Sequence, residues 1–88
     1  MACFVYVLGS GTGSGSSSGY RTYVGWTTDL DARLEKHNAG TGARSTRGRA
    51  WQLLYAERYL NRGEAMSREW HIKRDRKFRQ QLGLDWRR

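Results

Sequence analysis

The chain has little of what disulfide formation, metal clusters and membrane insertion require. Its 88 residues include one cysteine, Cys3, which excludes an internal disulfide and a cysteine-rich zinc site. No apolar run approaches the length of about 18 residues that a membrane-spanning helix needs. The apolar run after Ala2 is short and follows no positive charge, so it does not look like a signal peptide. We therefore expect a cytoplasmic protein that makes no membrane contact.

The length predicts one small domain over residues 1–88. A domain of this size buries only about 60 to 65% of its unfolded surface, so its core depends on large side chains. Four tryptophans, five tyrosines and two phenylalanines can supply much of that core.

Positive charge is concentrated in the second half of the chain. Residues 1–40 contain three basic and three acidic side chains, whereas residues 41–88 contain thirteen basic and five acidic ones and carry the whole formal charge of +8. Such a surface attracts polyanions, which favours nucleic acid as a partner. A basic surface that is merely solvated is the alternative.

Two aromatic and β-branched segments, Ala2–Leu8 and Arg21–Trp26, predict the first two strands. The first is apolar throughout and is expected to be buried on both faces. Its alternation places two sets of side chains on opposite faces: Phe4, Tyr6 and Leu8 on one, and Cys3, Val5 and Val7 on the other. Gly25 in the second strand indicates the close approach of another backbone or of a ligand phosphate.

The segment 9–19 contains only Gly, Ser and Thr. It lacks the Gly-Lys-Ser/Thr of a Walker-type phosphate-binding loop. We expect a flexible loop that joins the two strands as a hairpin.

A capping pattern and an amphipathic stripe predict a helix that begins near Asp29. Thr28 and Asp31, three residues apart, can satisfy the free amides of the first turn. Four side chains have the i, i+3, i+4, i+7 spacing of one helical face: Leu30, Arg33, Leu34 and His37. The leucines must face a core, so the arginine and the histidine should lie at its edge, beside the tyrosines that the preceding strand offers, Tyr20 and Tyr23.

Asn38, Ala39 and Gly40 predict the end of this helix. The loop that follows, 40–49, alternates arginines with Gly, Ser and Thr. Flexible backbone amides, hydroxyls and guanidinium groups together suit phosphate oxygens. The loop therefore predicts a nucleic-acid contact, with a solvated loop as the alternative, through three side chains: Arg44, Arg47 and Arg49.

A third strand and a basic helical region complete the chain. The segment 51–55 predicts the strand, and Asn61 with Glu64 forms the capping box of the next helix. The tail 71–86 is strongly basic and helical in pattern. Two of its apolar residues have the i, i+4 spacing that would pack back on the domain: Phe78 and Leu82.

Glu69 is an acid on an inward-facing helical stripe, which it shares with Ala65 and Ile72. A buried carboxylate without a cation is costly. Glu69 therefore requires either an arginine partner or a bound divalent metal, and the residues alone leave both open.

The ordered set of these residues resembles the GIY-YIG endonuclease family. Phe4-Val5-Tyr6 stands where the family has Gly-Ile-Tyr, and Tyr23-Val24-Gly25 matches its Tyr-Ile-Gly element. Arg33 follows ten residues after the second tyrosine, His37 completes an Arg-x-x-x-His pair, and Glu69 is the distal acid. The resemblance covers nearly the whole chain except the Gly/Ser loop. It is strongest to the small single-domain bacterial branch and extends to excision-repair and junction-cutting nucleases.

The resemblance implies hydrolysis of DNA phosphodiester bonds with one divalent cation, Mg²⁺ or Mn²⁺. It implies a general base at Tyr23, positioning of the water or the phosphate by Tyr6, and a phosphate clamp at Arg33. It implies orientation or proton relay by His37 and metal binding by Glu69. Beside the loop arginines, we expect two further side chains to bind nucleic acid: Lys73 and Arg74.

Two departures from the family pattern affect these expectations. Trp26 occupies the position after Tyr-Ile-Gly where the excision-repair branch has a lysine, so Tyr23 needs other support, with His37 the first candidate. Such support matters because a tyrosine has a pKa of about 10 and acts as a base only if cations stabilise its phenolate. The spacing from Tyr6 to Tyr23 is also longer than the family pattern, and the Gly/Ser loop accommodates the surplus.

The sequence therefore predicts a small α/β domain with a three-stranded, mainly antiparallel sheet flanked by helices. One alternative function is a nucleic-acid-binding module that keeps this fold without cutting. Another is a protein-interaction or RNA-binding domain that uses the basic tail, with a steep salt dependence and no need for metal. Substrate structure and oligomeric state, a monomer included, stay open.

Overall fold

The computed structural model of the protein describes residues 2–10, 21–42 and 50–87. In chain order its elements are β1 (Cys3–Ser10), β2 (Arg21–Thr27), α1 (Leu30–Asn38), β3 (Gln52–Tyr59), α2 (Arg62–Arg74) and α3 (Arg76–Arg87). The strands form one antiparallel sheet in the order β2-β1-β3. The predicted α/β architecture with a three-stranded antiparallel sheet is confirmed.

Some expectations fall on parts of the chain that the structure leaves undescribed. The loop arginines Arg44, Arg47 and Arg49 lie outside the described residues, as do residues 11–19 of the Gly/Ser segment. Among the helices that are described, none is long and apolar enough to cross a bilayer.

Strand β1 is longer than predicted. It continues through Gly9 and Ser10, which pair with Thr22 and Arg21 of β2. These two residues belong to the segment expected to be loop. They join the strand because each has a partner on the neighbouring strand for its backbone hydrogen bonds. The hairpin pairing of β1 with β2 is confirmed, and its register sets Tyr6 opposite Gly25.

Helices cover both faces of the central strand, which explains its burial. On one face a cluster of aliphatic side chains packs under α2 and α3: Cys3, Val5, Val7, Val24, Ala65 and Ile72, with Phe78 and Leu82 against it. On the other face a more aromatic cluster packs under α1: Tyr6, Leu8 and Trp51, with Tyr23, Leu30 and Leu34 against it. The predicted alternation along β1 and the packing of the tail are confirmed.

Helix α1 begins where predicted, but its cap is Asp29 rather than Thr28. The Asp29 carboxylate accepts from the Ala32 backbone N–H at 3.1 Å. Its own N–H donates to the Thr27 hydroxyl at 3.2 Å. The helix ends in a Schellman turn, in which Gly40 has a left-handed φ of 81°.

The Asn61–Glu64 capping box of α2 is confirmed. The Glu64 N–H donates to the Asn61 side chain at 2.8 Å, and the Asn61 amide donates back to the Glu64 carboxylate at 2.8 Å. The helical tail is not continuous, because the backbone turns at Asp75. The Asp75 carboxylate accepts from the Phe78 N–H at 3.0 Å and so caps α3 as a separate helix.

A hydrogen-bonded acid lies between β3 and α2, and the sequence analysis did not predict it. The Glu57 carboxylate accepts from the hydroxyls of Tyr55 and Tyr59, the latter at 2.6 Å. It also accepts from Arg68 Nε at 2.8 Å. Burial alone would raise the pKa of Glu57, but these hydrogen bonds and the Arg68 charge outweigh it and lower the pKa to about 2. The cluster joins β3 to α2 by charge-assisted hydrogen bonds.

This cluster predicts an acid-sensitive contribution to stability. The folded pKa of Glu57 lies below its ordinary value of 4.5, so the unfolded chain takes up the proton first as the pH falls. The contribution is complete above pH 4.5 and is lost as the pH falls from 4.5 towards 2. We expect Glu57→Gln to lower the free energy of unfolding at pH 7 by about 1 to 3 kcal/mol.

Urea unfolding at pH 7 and along the acid range measures this effect. Glu35→Gln, which changes an exposed acid on α1, is the matched control and should leave stability almost unchanged. Equal stability of the two variants at pH 7 would contradict the assigned role of Glu57.

Candidate functional site

The side chain of Tyr6 lies directly over Gly25 of the neighbouring strand. A Cβ placed on Gly25 would be 2.5 Å from the Tyr6 hydroxyl oxygen and 2.8 Å from its Cζ. The close approach predicted at this glycine is therefore real. The approaching group, however, is a tyrosine side chain rather than a backbone or a ligand phosphate. Only glycine leaves room there for the phenol to lie across β2, which is an edge strand.

The Tyr6 hydroxyl is a meeting point for side chains of α1. It is hydrogen-bonded to His37 Nε2 at 3.0 Å, and both residues are buried. The guanidinium group of Arg33 is close enough to Tyr6 and Tyr23 to interact electrostatically with both hydroxyls. The Tyr23 ring in turn lies 4.8 Å from the His37 ring, centroid to centroid. The amphipathic face of α1 thus brings Arg33 and His37 against both predicted tyrosines.

These contacts make the two tyrosines electrostatically unequal. Burial raises the pKa of Tyr6, the hydrogen bond and charge of Arg33 oppose that rise, and negative charge on Tyr23 or Glu69 adds to it. The hydrogen bond to Tyr6 in turn raises the pKa of Arg33. Tyr6 is only 2% exposed, whereas Tyr23 is half-buried. Arg33 therefore interacts with both hydroxyls, and burial disfavours ionisation of the Tyr6 hydroxyl.

His37 is held in its neutral form. Burial lowers the pKa of its imidazole, and the positive charge of Arg33 lowers it further. A neutral imidazole offers one acceptor nitrogen. Both effects favour the neutral imidazole, and the cationic side chain that interacts with Tyr23 is Arg33.

Glu69 reaches the site from the other side of the sheet. It lies on the inward face of α2 with Ala65 and Ile72, both of which are fully buried. Its carboxylate is close enough to Tyr6 to raise the pKa of that hydroxyl. The structure therefore brings Tyr6, Arg33 and Glu69 to the β2 edge of the sheet.

The side chain paired with Glu69 is a lysine rather than the arginine that the sequence allowed. Lys73, four residues later on α2, has its Nζ 3.8 Å from a Glu69 oxygen, beyond normal hydrogen-bond distance. The Lys73 side chain is 55% exposed, so this ion pair holds the carboxylate weakly. Within the described ranges no group of three or more His, Cys, Asp or Glu side chains could enclose a metal. A cation at Glu69 would take its other ligands from water or substrate, which is the usual situation of Mg²⁺ at phosphate sites.

Trp26, in the family's lysine position, is part of the core rather than of the site. It packs against the aliphatic cluster beneath α2. The guanidinium carbon of Arg62 lies 5.8 Å from the centre of its ring. A positive charge is thus still present beside this position, but it comes from α2.

Of the predicted nucleic-acid-binding residues, Lys73 and Arg74 are described, and both are exposed in the last turn of α2. Lys73 lies beside Glu69, and the Arg74 guanidinium lies over the Trp70 ring. Both positions are accessible to a polyanion.

Two residues that support the site were not predicted. Asn38, interpreted only as a helix stop, accepts from the Trp51 N–H at 2.6 Å and donates to the Trp51 carbonyl at 3.2 Å. It therefore ties the end of α1 to the start of β3, on either side of the arginine-rich loop. Gly42 lies against His37, where a Cβ would be 2.6 Å from Nδ1. Neither contact follows from helical or strand periodicity, so the sequence pattern did not predict these two roles.

Comparison with known families finds one match over most of the chain. A family model described as the GIY-YIG catalytic domain matches residues 3–81. This span contains Tyr6, Tyr23, Arg33, His37 and Glu69.

Several bacterial proteins named UPF0213 are similar to this chain. The one from Clostridium perfringens is 49% identical over 53 residues, which are 59% of this chain and 57% of that protein. The one from Staphylococcus aureus strain Mu3 is 41% identical over 71 residues, 80% of this chain and 78% of that protein. The matched part of the Clostridium relative is thus less than two thirds of its length.

A solved structure is also similar. The solution NMR structure of the UPF0213 protein BH0048 from Bacillus halodurans has 36% sequence identity and a TM-score of 0.47, covering 96% of this chain and 85% of that one.

The packing of Tyr6 over Gly25 predicts the effect of one added methyl group. Gly25→Ala must displace the phenol, and overpacking of this kind costs about 1 to 3 kcal/mol. Gly63→Ala is the matched control, because the atom nearest to its new Cβ is 3.5 Å away and alanine is a better helix former. Urea unfolding measures both variants. A Gly25→Ala protein as stable as the Gly63→Ala protein would contradict this packing.

The environment of His37 predicts its titration. Its folded pKa lies below the ordinary 6.5, so the unfolded chain is protonated first as the pH falls. The stability that this group contributes is complete above pH 6.5 and is lost as the pH falls below that value. NMR titration of the ring protons should give a pKa under 6.5. In Arg33→Met the pKa should rise yet stay below 6.5, because burial remains. An unshifted pKa in the wild-type protein would contradict the burial.

Proposed function

Because the chain belongs to the GIY-YIG family, we propose that it is a metal-dependent endonuclease that hydrolyses phosphodiester bonds in DNA. One observation carries the proposal: the Tyr6 hydroxyl lies over Gly25 within hydrogen-bond distance of His37, and the Tyr23 ring packs against the same histidine. The excess positive charge of the second half of the chain supports a polyanionic substrate. We place the protein in the cytoplasm.

Hydrolysis of a phosphodiester requires a deprotonated water, a clamp on the charge of the nonbridging oxygens and help for the departing 3′ oxygen. Arg33 is suited to the clamp, since its planar guanidinium group is always charged and can bind two oxygens at once. Its contacts with Tyr6 and Tyr23 hold it at the place where the phosphate must bind.

Tyr23 is the general base in this proposal. It is more exposed than Tyr6, and the Arg33 cation beside it stabilises a phenolate. Burial raises the pKa of Tyr6, so its hydroxyl stays protonated and is not available as the base. Trp26 leaves this position without the positive charge of a lysine. In this proposal Arg33 supplies the supporting cation that the lysine provides in the excision-repair branch.

Tyr6 and His37 position the reactants. The Tyr6 hydroxyl shares a hydrogen bond of 3.0 Å with His37 Nε2, which holds the phenol in place beside Arg33. This arrangement fixes the hydroxyl rotor without adding a charge.

Glu69 would hold the divalent cation, Mg²⁺ or Mn²⁺, which supplies stabilisation of the charge that develops on the leaving oxygen. The weak Lys73 contact leaves the carboxylate able to exchange partners. Lys73, Arg74 and the loop arginines Arg44, Arg47 and Arg49 would bind the flanking phosphates.

Substitution of the clamp and of the metal ligand tests these roles. We expect Arg33→Ala and Glu69→Gln each to lower the cleavage rate by at least about 100-fold, because each removes stabilisation made in the transition state. Binding of DNA in EDTA should remain. Cleavage of a labelled DNA substrate under single-turnover conditions, with Mg²⁺ or Mn²⁺, provides the measurement.

Arg58→Ala and Glu64→Gln are matched controls, since both change exposed side chains away from the site. They should cleave at the wild-type rate. Full cleavage by Arg33→Ala and Glu69→Gln would overturn the assigned roles. DNA binding without cleavage by the wild-type protein would instead identify a binding module on the same fold.

A further inference from the structure

One side of α2 exposes an aromatic and basic surface whose apolar members, Met66 and Trp70, have no role in the proposed chemistry. Trp70 is 52% exposed and Met66 is 45% exposed, although both are large apolar side chains. The guanidinium carbon of Arg74 lies 3.9 Å from the centre of the Trp70 ring, which is a close cation–π contact. The His71 ring meets the Trp70 ring edge-on at 5.0 Å.

This surface lies beside Glu69 and not on the far side of the helix. Successive helical residues are rotated by about 100°, so Lys73 and Met66 follow Glu69 around α2, and Trp70 and Arg74 follow them. Two contacts fix the direction. Arg62, on the Glu69 side, lies over Trp26 of β2, whereas Arg68, on the opposite side, pairs with Glu57 of β3. The exposed surface therefore extends outward from Glu69 along the β2 side of the helix.

We propose that this surface, the α2 strip formed by Arg62, Met66, Trp70, Lys73 and Arg74, binds a nucleic-acid substrate and stacks one unpaired base on the Trp70–Arg74 pair. The strip's place beside the reacting phosphate rests on the proposed function, but its binding of nucleic acid does not. The base would lie close to the scissile bond, with Lys73 and Arg62 on neighbouring phosphates.

Charge and geometry favour nucleic acid, rather than a second copy of the chain, as the molecule that binds the strip. Three members of the strip are cationic, and the chain as a whole carries +8, so a second copy of the chain would be repelled across this surface. Indole rings and guanidinium planes are the side-chain surfaces on which unstacked bases lie. The Arg74 side chain is already stacked on Trp70, so a base meets an ordered platform rather than a mobile one.

Binding in EDTA tests the strip independently of catalysis. A fluorescein-labelled single-stranded oligonucleotide is titrated with protein, and anisotropy is followed between about 50 and 200 mM salt, a range over which phosphate contacts strongly change affinity. We expect Trp70→Ala to weaken binding about 5- to 100-fold with an unchanged salt slope, because stacking releases no counterions. Trp70→Phe should retain most of the affinity. Lys73→Ala, which removes a phosphate contact, should reduce the salt slope by about one.

Leu60→Ala is the matched control, since Leu60 is also an exposed apolar residue and lies off the helix. It should bind as the wild type does. A flush duplex of the same sequence should show a smaller effect of Trp70→Ala than the single strand. Circular dichroism confirms that each variant is folded.

Equal binding by Trp70→Ala and wild type would contradict the proposed binding of nucleic acid by the strip. A wild-type protein that binds no oligonucleotide would contradict it as well. A change of oligomeric state in Trp70→Ala, measured by sedimentation without a change in oligonucleotide affinity, would show an interface between copies instead. If Trp70 governs binding but no DNA is ever cut, the strip stands and the endonuclease proposal fails. If Glu69→Gln abolishes cleavage while Trp70→Ala binds normally, the endonuclease proposal stands and the proposed role of the strip fails.

Discussion

The site depends on the contact of the Tyr6 phenol with Gly25. The antiparallel register sets these residues opposite each other, and the missing side chain lets the phenol cross the neighbouring strand. The hydroxyl thereby reaches His37 and Arg33 of α1. A shift of one residue in strand register would turn Tyr6 to the other face and separate it from all of these partners. The Tyr23-Val24-Gly25 element thus contributes the space that Tyr6 needs as well as a tyrosine.

The two faces of the sheet have different roles, one in forming the site and one in packing helices α2 and α3. On the α1 face, aromatic and polar side chains form the site, with neutral His37 and the cation of Arg33 in contact with the tyrosines. On the other face, α2 and α3 pack on aliphatic side chains and are tied to β3 by the Glu57 cluster. Because β2 is an edge strand, Glu69 can reach Tyr6 around it from that other face. A rigid α2 therefore places both the acid and the strip beside it.

Much of the fold follows from local sequence patterns. Alternation along β1, the spacing of Leu30, Arg33, Leu34 and His37, and the Asn61 capping box are properties of a few consecutive residues, and the structure confirms them. Glu69 was placed correctly on the inner face of α2 by the same periodicity. The catalytic roles of these residues remain predictions.

Other features depend on contacts between distant residues, which periodicity does not specify. The approach of Tyr6 to Gly25 requires the register of two strands joined by a long loop, and the Asn38–Trp51 contact spans thirteen residues. The extension of β1 through Ser10 arises because pairing with β2 outweighs the weak strand preference of Gly and Ser. Asp75 was not expected to break the tail, because its effect depends on capping geometry rather than on helical preference.

The most direct test of the account is a cleavage panel with the wild-type protein and mapped product ends. Branched, single-stranded and duplex DNA are incubated with Mg²⁺, with Mn²⁺ and with EDTA. The account predicts endonucleolytic cuts that require the metal and leave a 3′-hydroxyl and a 5′-phosphate, because the 3′ oxygen is the leaving group. Cuts that persist in EDTA, or products that end in a 3′-phosphate, would contradict it.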